Sequence, residues 1–336
     1  MLALGSSEGH KHRTGATRLT VRGLPGILVS EKKSNRLLAA RRRELLERAA
    51  QDCEALGARA LAVPTDVTDA DEVRALASAA ASAFGGIDAW VNNAGTSMWG
   101  RFEEIPLRSQ ARLIELNLLG AMAGCHAVLP HFFERGGRGV IVNVSSIGGR
   151  VPMPFATSYS ASKFGLAGFS DALRSELAAH SSIEVCCVYP AYVDTPTYLE
   201  SANHTGRALR PVPPVVGPER VAERIVGLVL RPRRSARVGA ANAIAVPFAL
   251  LPDWTGRLVS RLAERFLLRS GPEADPTDGG LWETVRTTGG PVARGGWGAE
   301  ARSRARRATT VALAGLAGVT SAVLLSRRAR RASSRS

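Results

Sequence analysis

Residues 143–163 read NVSSIGGRVPMPFATSYSASK, and the rest of the chain is understood outward from this stretch. It opens at the end of an apolar run, Gly139 to Val144, whose length and valine content predict a buried parallel strand ending in hydroxyls. It closes on Tyr159 and Lys163, four positions apart and so on one face of a helix predicted to run through Ala178. A phenol with an ordinary pKa of about 10 is a poor acid or base near neutrality. An ammonium one turn away stabilises the phenolate and lowers that pKa, so the pair can exchange a proton with an alcohol or ketone. Ser146, at the strand end, can hydrogen-bond the same substrate oxygen.

A Tyr-x-x-x-Lys spacing alone is weak, because most such pairs are exposed and inert. Here the tyrosine lies thirteen residues after the strand-end serine, and Asn92-Asn93-Ala94-Gly95 lies upstream. This combination resembles the short-chain dehydrogenase/reductase family, from about Leu37 to about Pro232. The resemblance implies an α/β fold: a Rossmann-like doubly wound parallel sheet with flanking helices. It implies an oxidoreductase that interconverts an alcohol and a ketone or aldehyde by hydride transfer. Four catalytic positions match one by one. Tyr159 would be the general acid/base, Lys163 would lower its pKa and hold the cofactor ribose, and Ser146 would polarise the substrate oxygen. Asn117, in the helix predicted over Leu107–Leu129, would anchor a relay water.

The same resemblance implies the cofactor residues. Asp66 and Val67 follow the predicted strand Ala60–Val63 and would flank the adenine. Asn93, Ala94 and Gly95 follow the strand Ile87–Val91 and would pass close to the ribose. Pro190, Val193 and Thr195 follow the strand Ile183–Tyr189 and would meet the nicotinamide. Ala191 stands where the family usually has glycine, which is tolerable only with φ below zero. Arg41 to Arg43 follow Ala40, where NAD-preferring relatives carry an acidic residue against the ribose 2′-hydroxyl. The expected cofactor is therefore NADP, with NAD less favoured, and Arg41 is the expected 2′-phosphate partner.

The family pattern breaks at its start. Thr14-Gly15-Ala16 begins a Thr-Gly-x-x-x-Gly-x-Gly turn, but Leu19 and Val21 replace the later glycines. Those glycines let the backbone approach the pyrophosphate at a helix N-terminus. Residues 18–35 lack helical periodicity, and Pro25-Gly26 interrupts them. Recognisable sequence resumes at Leu37, close to the distance an intact strand–helix–strand would give. Two explanations fit: a locally shifted reading frame, or divergence with Gly26–Ser30 as a substitute strand. If residues 18–35 are translated as written, this polypeptide is expected to bind NADPH weakly.

Net charge is +15, yet residues 301–336 hold nine arginines and no acid, so the charge belongs mainly to a tail. That tail has no interleaved aromatics, which argues against nucleic acid as a partner. Four cysteines show no metal-ligand spacing and are expected buried and reduced. The segment Thr197–Val216 carries three prolines and reads as a mobile loop over the substrate; Pro218–Leu230 reads as a helix and Ala236–Val246 as the last strand.

Beyond it, Leu250, Leu251, Trp254, Leu258, Val259, Leu262 and Phe266 recur at helical spacing with Arg257, Arg261 and Arg265 between them. This helix could pack over the substrate pocket or lie on a membrane surface. The expected organisation is an atypical segment 1–36, a catalytic domain 37–246, a helical extension 247–269, a linker 270–307, a candidate membrane anchor 308–326 and a basic tail 327–336. Residues 308–326 are nineteen without charge, just long enough to cross a bilayer. No signal peptide is legible in Met1–Ser30. The expected location is the cytoplasm or the cytoplasmic face of a membrane, with a small carbonyl or alcohol substrate of lipid-like character and a homo-oligomeric assembly. The alternative is a non-catalytic binding or scaffold protein that keeps the fold without the nucleotide.

Overall fold

The computed structural model describes residues 2–5, 35–285 and 294–297. Its first half contains β1 (Leu2–Gly5), β2 (Asn35–Ala40), α1 (Arg43–Ala55), β3 (Ala60–Pro64), α2 (Ala70–Phe84), β4 (Ala89–Asn92), β5 (Met98–Gly100), α3 (Leu107–Ile114) and α4 (Gly120–Glu134). Then come β6 (Gly139–Val144), α5 (Thr157–Glu176), β7 (Ile183–Pro190), α6 (Thr197–Glu200), β8 (Ala202–His204), α7 (Pro218–Leu230), β9 (Ser235–Val238), α8 (Ala245–Leu250) and α9 (Pro252–Ala263).

Seven strands form one sheet in the order β3-β2-β1-β4-β6-β7-β9. Successive strand residues point to opposite faces, so each strand feeds two cores. Leu37, Trp90, Ile141 and Val185 join one core with Val73 and Leu76 of α2 and Val128 and Phe132 of α4. Their neighbours Leu38, Val91, Val142 and Cys186 join the other, with Leu46 and Ala49 of α1 and Ile225 and Val226 of α7. Burial on both faces is why these strands read as continuous apolar runs. The expected α/β architecture is present. All four cysteines are free and buried.

The polarity of β1 departs from that architecture. It runs antiparallel to both neighbours, pairing Leu2 with Leu38 and Gly5 with Asn35 on one side, and Leu2 with Val91 on the other. The remaining neighbours in the sheet are parallel. The slot for which Gly26–Ser30 is the expected substitute thus holds Leu2–Gly5; residues 6–34, including Thr14, Gly15, Leu19 and Val21, lie outside the described residues.

Three other segments differ from expectation. The last strand ends at Val238 instead of Val246, because Gly239 takes φ of 98° and the chain turns into 3₁₀ and α-helix. Asn242 fixes that turn by donating to Tyr189 O at 3.0 Å and Val238 O at 3.1 Å. The expected loop over 197–216 contains α6 and β8, and β8 pairs in parallel with β5. Residues 270–285, expected as linker, lie along the body. Thr277 bridges Asn203, Glu273 bridges Arg207, and Leu281 is fully buried beside Met98, Ile105, Leu113 and Ala202. Residues 308–336 are outside the described residues.

The helical stretch Leu107–Glu134 is long and apolar enough to cross a membrane, but half of its most apolar window is buried within the protein. It is a core helix that carries Asn117 to the site. A single π-helical turn, Glu115–Leu119, interrupts it there.

Candidate active site

The ends of the parallel strands surround a cleft of about 470 Å³. Arg41, Asp66, Val67, Asn93, Ala94, Gly95, Ser146, Tyr159, Lys163, Pro190, Val193 and Thr195 all line it. Asn117 is fully buried behind the wall and does not touch the opening. Twelve positions scattered over more than 150 residues thus converge because each lies at or after the carboxyl end of one of the parallel strands of this sheet.

Beneath the cleft a polar chain ties the central strands to the helices. Trp90 Nε1 donates to Asn92 Oδ1 at 2.9 Å, and Asn92 Nδ2 donates to Asn143 Oδ1 at 2.8 Å. Asn143 Nδ2 donates to Ser170 Oγ of α5 at 2.9 Å. Asn92 thus braces the central strands; its partners Asn143 and Ser170 carry no sequence signature of that pairing.

The side chain of Asn117 is committed. Its Oδ1 accepts from Thr96 N at 3.0 Å, and its Nδ2 donates to Thr96 O at 3.0 Å and to Ser162 Oγ at 3.1 Å. Ser162 Oγ in turn donates to Tyr159 O at 2.7 Å. The asparagine therefore locks the loop after β4 against the second turn of α5. Gly95 is required by this closeness, since a Cβ there would stand 2.9 Å from Asn117 Oδ1 and 3.3 Å from Lys163 Nζ.

Lys163 Nζ donates to Val144 O at 3.1 Å and lies 5.9 Å from the centre of the Tyr159 ring. Burial lowers the Lys163 pKa to about 8. Burial also pushes the Tyr159 phenol up, and the Ser146 hydroxyl beside it pulls the other way. The net direction is opposite to the one expected from the Tyr–Lys spacing. Desolvation of the phenolate outweighs the stabilising groups. Ser146 Oγ accepts from Gly148 N at 3.1 Å, which leaves its proton free to donate. Tyr192 and Tyr198 add two further phenols to the cleft, both held above the ordinary value by burial.

Phe155 precedes α5 with φ of 62°, the one non-glycine residue with positive φ among the described residues. Its carbonyl accepts from Gly100 N at 2.8 Å, anchoring the approach to Tyr159. Ala191 keeps φ out of the positive range, so the missing family glycine causes no strain.

At the Asp66 end of the cleft, burial opposes ionisation of the Asp66 carboxyl, but hydrogen bonds from Thr68 and the charges of Arg41 and Arg112 more than offset it and hold it low. Arg41 donates to the carbonyls of Gly280 and Trp282, and Arg42 to Val285 O at 3.1 Å and Glu200 at 3.1 Å. At the other end, Trp297 N donates to Asp194 Oδ1 at 2.8 Å and its indole to Thr195 O at 3.3 Å. The carboxyl-terminal extension therefore touches both ends of the cleft. Its Gly, Pro and Thr content hides this from the sequence.

A family model described as short chain dehydrogenase matches residues 27–205, more than half of the chain. The chain belongs to the short-chain dehydrogenase family. As a short-chain dehydrogenase it is an oxidoreductase acting on CH–OH groups, in a family that binds a nicotinamide cofactor. Among relatives, it is 30% identical over 243 residues to an uncharacterized oxidoreductase YxnA of Bacillus subtilis, covering 70% of this chain and 67% of that one. It is 37% identical over 174 residues to 3beta-hydroxysteroid dehydrogenase 1 of Eggerthella lenta, covering 50% of this chain and 66% of that one. It is 41% identical over 177 residues to cis-4-hydroxycyclohexanecarboxylate dehydrogenase of Sinomonas cyclohexanicum, covering 51% and 70%. Among solved structures, an actinorhodin polyketide ketoreductase with NADPH aligns with a TM-score of 0.53 and 31% identity, over 60% of this chain and 84% of that one.

Proposed function

We propose that this short-chain dehydrogenase interconverts an alcohol and a ketone or aldehyde with NADP(H), using Tyr159 as general acid/base. The observation that carries the reading is the meeting of Ser146, Tyr159 and Lys163 with the cofactor-binding positions in one cleft. The residues fit the nicotinamide and ribose half of such a cofactor, because Asn93, Ala94, Tyr159, Lys163, Val193 and Thr195 line one continuous cleft that offers both polar groups and apolar walls. Asp66, Val67 and Arg41 fit the adenosine half. A guanidinium has five N–H donors, so Arg41 keeps donors for a 2′-phosphate beside those given to Gly280 and Trp282.

When bound, the nicotinamide accepts or supplies the hydride. In the oxidative direction Tyr159 takes the substrate hydroxyl proton while the carbinol hydrogen leaves as hydride. In reduction Tyr159 returns that proton to the carbonyl oxygen. Ser146 donates to the same oxygen and stabilises its developing charge. The Lys163 ammonium uses one N–H on Val144 O and keeps two for the ribose and for its charge on Tyr159. Asn117 is a positioning residue that fixes Thr96 and Ser162, and its turn anchors the relay that returns protons to solvent. Trp99, Met153, Tyr192 and Tyr198 give the substrate end an apolar wall with phenolic tips, which suits a cyclic or lipid-like carbonyl compound. Leu107, Leu119, Phe133 and Phe164 offer exposed apolar surface for a homo-oligomer.

Tyr159→Phe is expected to remove at least about a hundredfold of turnover, the range of a lost general acid, while leaving the melting temperature nearly unchanged. Near-normal turnover in that variant overturns the mechanism. A second reading, a scaffold without nucleotide, is favoured by the reversed β1, and titration with NADPH separates the two.

A further inference from the structure

The helices α8 and α9 present a second surface that the reaction does not use. Val246, Leu250, Leu251, Trp254, Leu258 and Leu262 are all exposed there, with Leu250 at 74% and Leu262 at 60%. Trp254, Leu258 and Leu262 recur every fourth residue and so form one stripe along α9. Arg257, Arg261 and Arg265 form a second exposed stripe beside it, and none has an ion-pair partner among the described residues. The opposite side of α9 packs inward through Thr255 and Ala263, and in the π-helical turn Glu264–Leu268 that continues it Leu267 is buried and Phe266 joins it with Trp99, Leu209 and Tyr198 at the substrate end of the cleft. Both meanings of the sequence pattern therefore coexist, one on each side of the helix.

We infer that the α8–α9 face docks on an anionic lipid surface. Charge decides among the occupants. A second copy laid face to face would bring Arg257, Arg261 and Arg265 against their own kind, at a cost in repulsion. The tail 301–336 holds nine arginines and no acid, so it cannot neutralise them either. A bilayer with acidic headgroups meets both demands. It takes leucine and tryptophan side chains at the boundary of its hydrocarbon while its phosphates pair with the guanidiniums. Asp253 and Glu264 lie to one side of the arginine stripe, and Glu264 is already paired with Arg269 at 2.7 Å. The inference is independent of the assigned chemistry.

The test uses the full chain with vesicles of phosphatidylcholine alone, or of phosphatidylcholine and phosphatidylglycerol in equal parts, carrying acyl chains brominated for fluorescence quenching. The contribution of Trp254 is the difference between the parent and Trp254→Phe. Quenching of Trp254 by the acidic vesicles is expected, with weak or no quenching by the neutral ones. Leu250→Ser with Leu258→Ser and Leu262→Ser is expected to weaken sedimentation with acidic vesicles about tenfold or more. Arg257→Gln with Arg261→Gln, two exposed unpaired positions that cannot compromise folding by lost packing, is expected to remove the preference for acidic lipid. Three results overturn the inference: an unquenched Trp254, vesicle binding unchanged in both sets of variants because the tail alone carries it, or a dimer in solution that the leucine variant dissociates.

Discussion

Lys163 is only 5% exposed, and burial holds its pKa near 8, below the ordinary 10.5 of the unfolded chain. Below pH 8 the ammonium is charged in both states, and the full penalty of burying it is present. Between pH 8 and about 10.5 the folded protein releases the proton first, so the penalty fades as pH rises. Measured against Lys163→Met, the parent is therefore expected to gain stability from pH 8 to pH 10. A pH-independent difference in melting temperature between the two would show that the amine is not buried as described. The tyrosine, lysine and serine were legible in the sequence because they share one strand and one helix, where spacing fixes position. The partners Thr96 and Ser162 of Asn117 were not, and neither was the closing of Tyr192 and Tyr198 on Tyr159. Those contacts cross between distant elements, and no local period records them. The direction of the Tyr159 shift also escaped the spacing argument, because desolvation depends on the whole surrounding wall.

Helices and parallel strands of the central region were legible as elements, since strand residues buried on both faces give uninterrupted apolar runs and α2 announces its cap. Asp69 accepts from Asp71 N at 2.8 Å and Glu72 N at 3.1 Å, as an N-terminal Asp should. The segment 270–285 was not legible. Its composition is that of a linker, yet Leu281 fills a pocket among Met98, Ile105, Leu113 and Ala202, and Asp278 meets His204 at 3.3 Å. One apolar residue in a polar stretch leaves no periodic trace. Leu281→Ala would empty that pocket, and large-to-small changes at buried leucines cost about 2–5 kcal/mol. A loss in that range is expected in urea unfolding. A variant as stable as the parent would mean that the extension is a tether and not a part of the fold. The same extension supplies carbonyls that hold Arg41 and Arg42, so elements far apart in the chain share that end of the cleft.

At the scale of the whole molecule, the reversed first strand bears most on function. A doubly wound sheet places its nucleotide across the carboxyl ends of parallel strands, and the turn after the first strand gives backbone N–H groups to the pyrophosphate. Here Gly5 lies opposite Asn35, the first residue of β2, and Leu4 O accepts from Asp88 N at 2.7 Å. The chain therefore leaves β1 at the amino ends of its neighbours, on the side away from the cleft. Among the described residues no glycine turn leads into a helix N-terminus at the pyrophosphate position, while the residues proposed for the nicotinamide and adenosine ends do line the cleft. Charge-assisted hydrogen bonds contribute about 1.5–3 kcal/mol each, so losing several weakens cofactor affinity by orders of magnitude. This polypeptide is expected to bind NADPH weakly, with dissociation constants well above the micromolar range. A version carrying a parallel first strand and the intact Thr-Gly-x-x-x-Gly-x-Gly turn in place of residues 6–34 is expected to bind it tightly. Calorimetric titration of both chains with NADPH measures the difference directly. Micromolar binding by the chain with the sequence given would mean that residues 6–34 provide the phosphate donors by another route, and the scaffold reading would lose its main support.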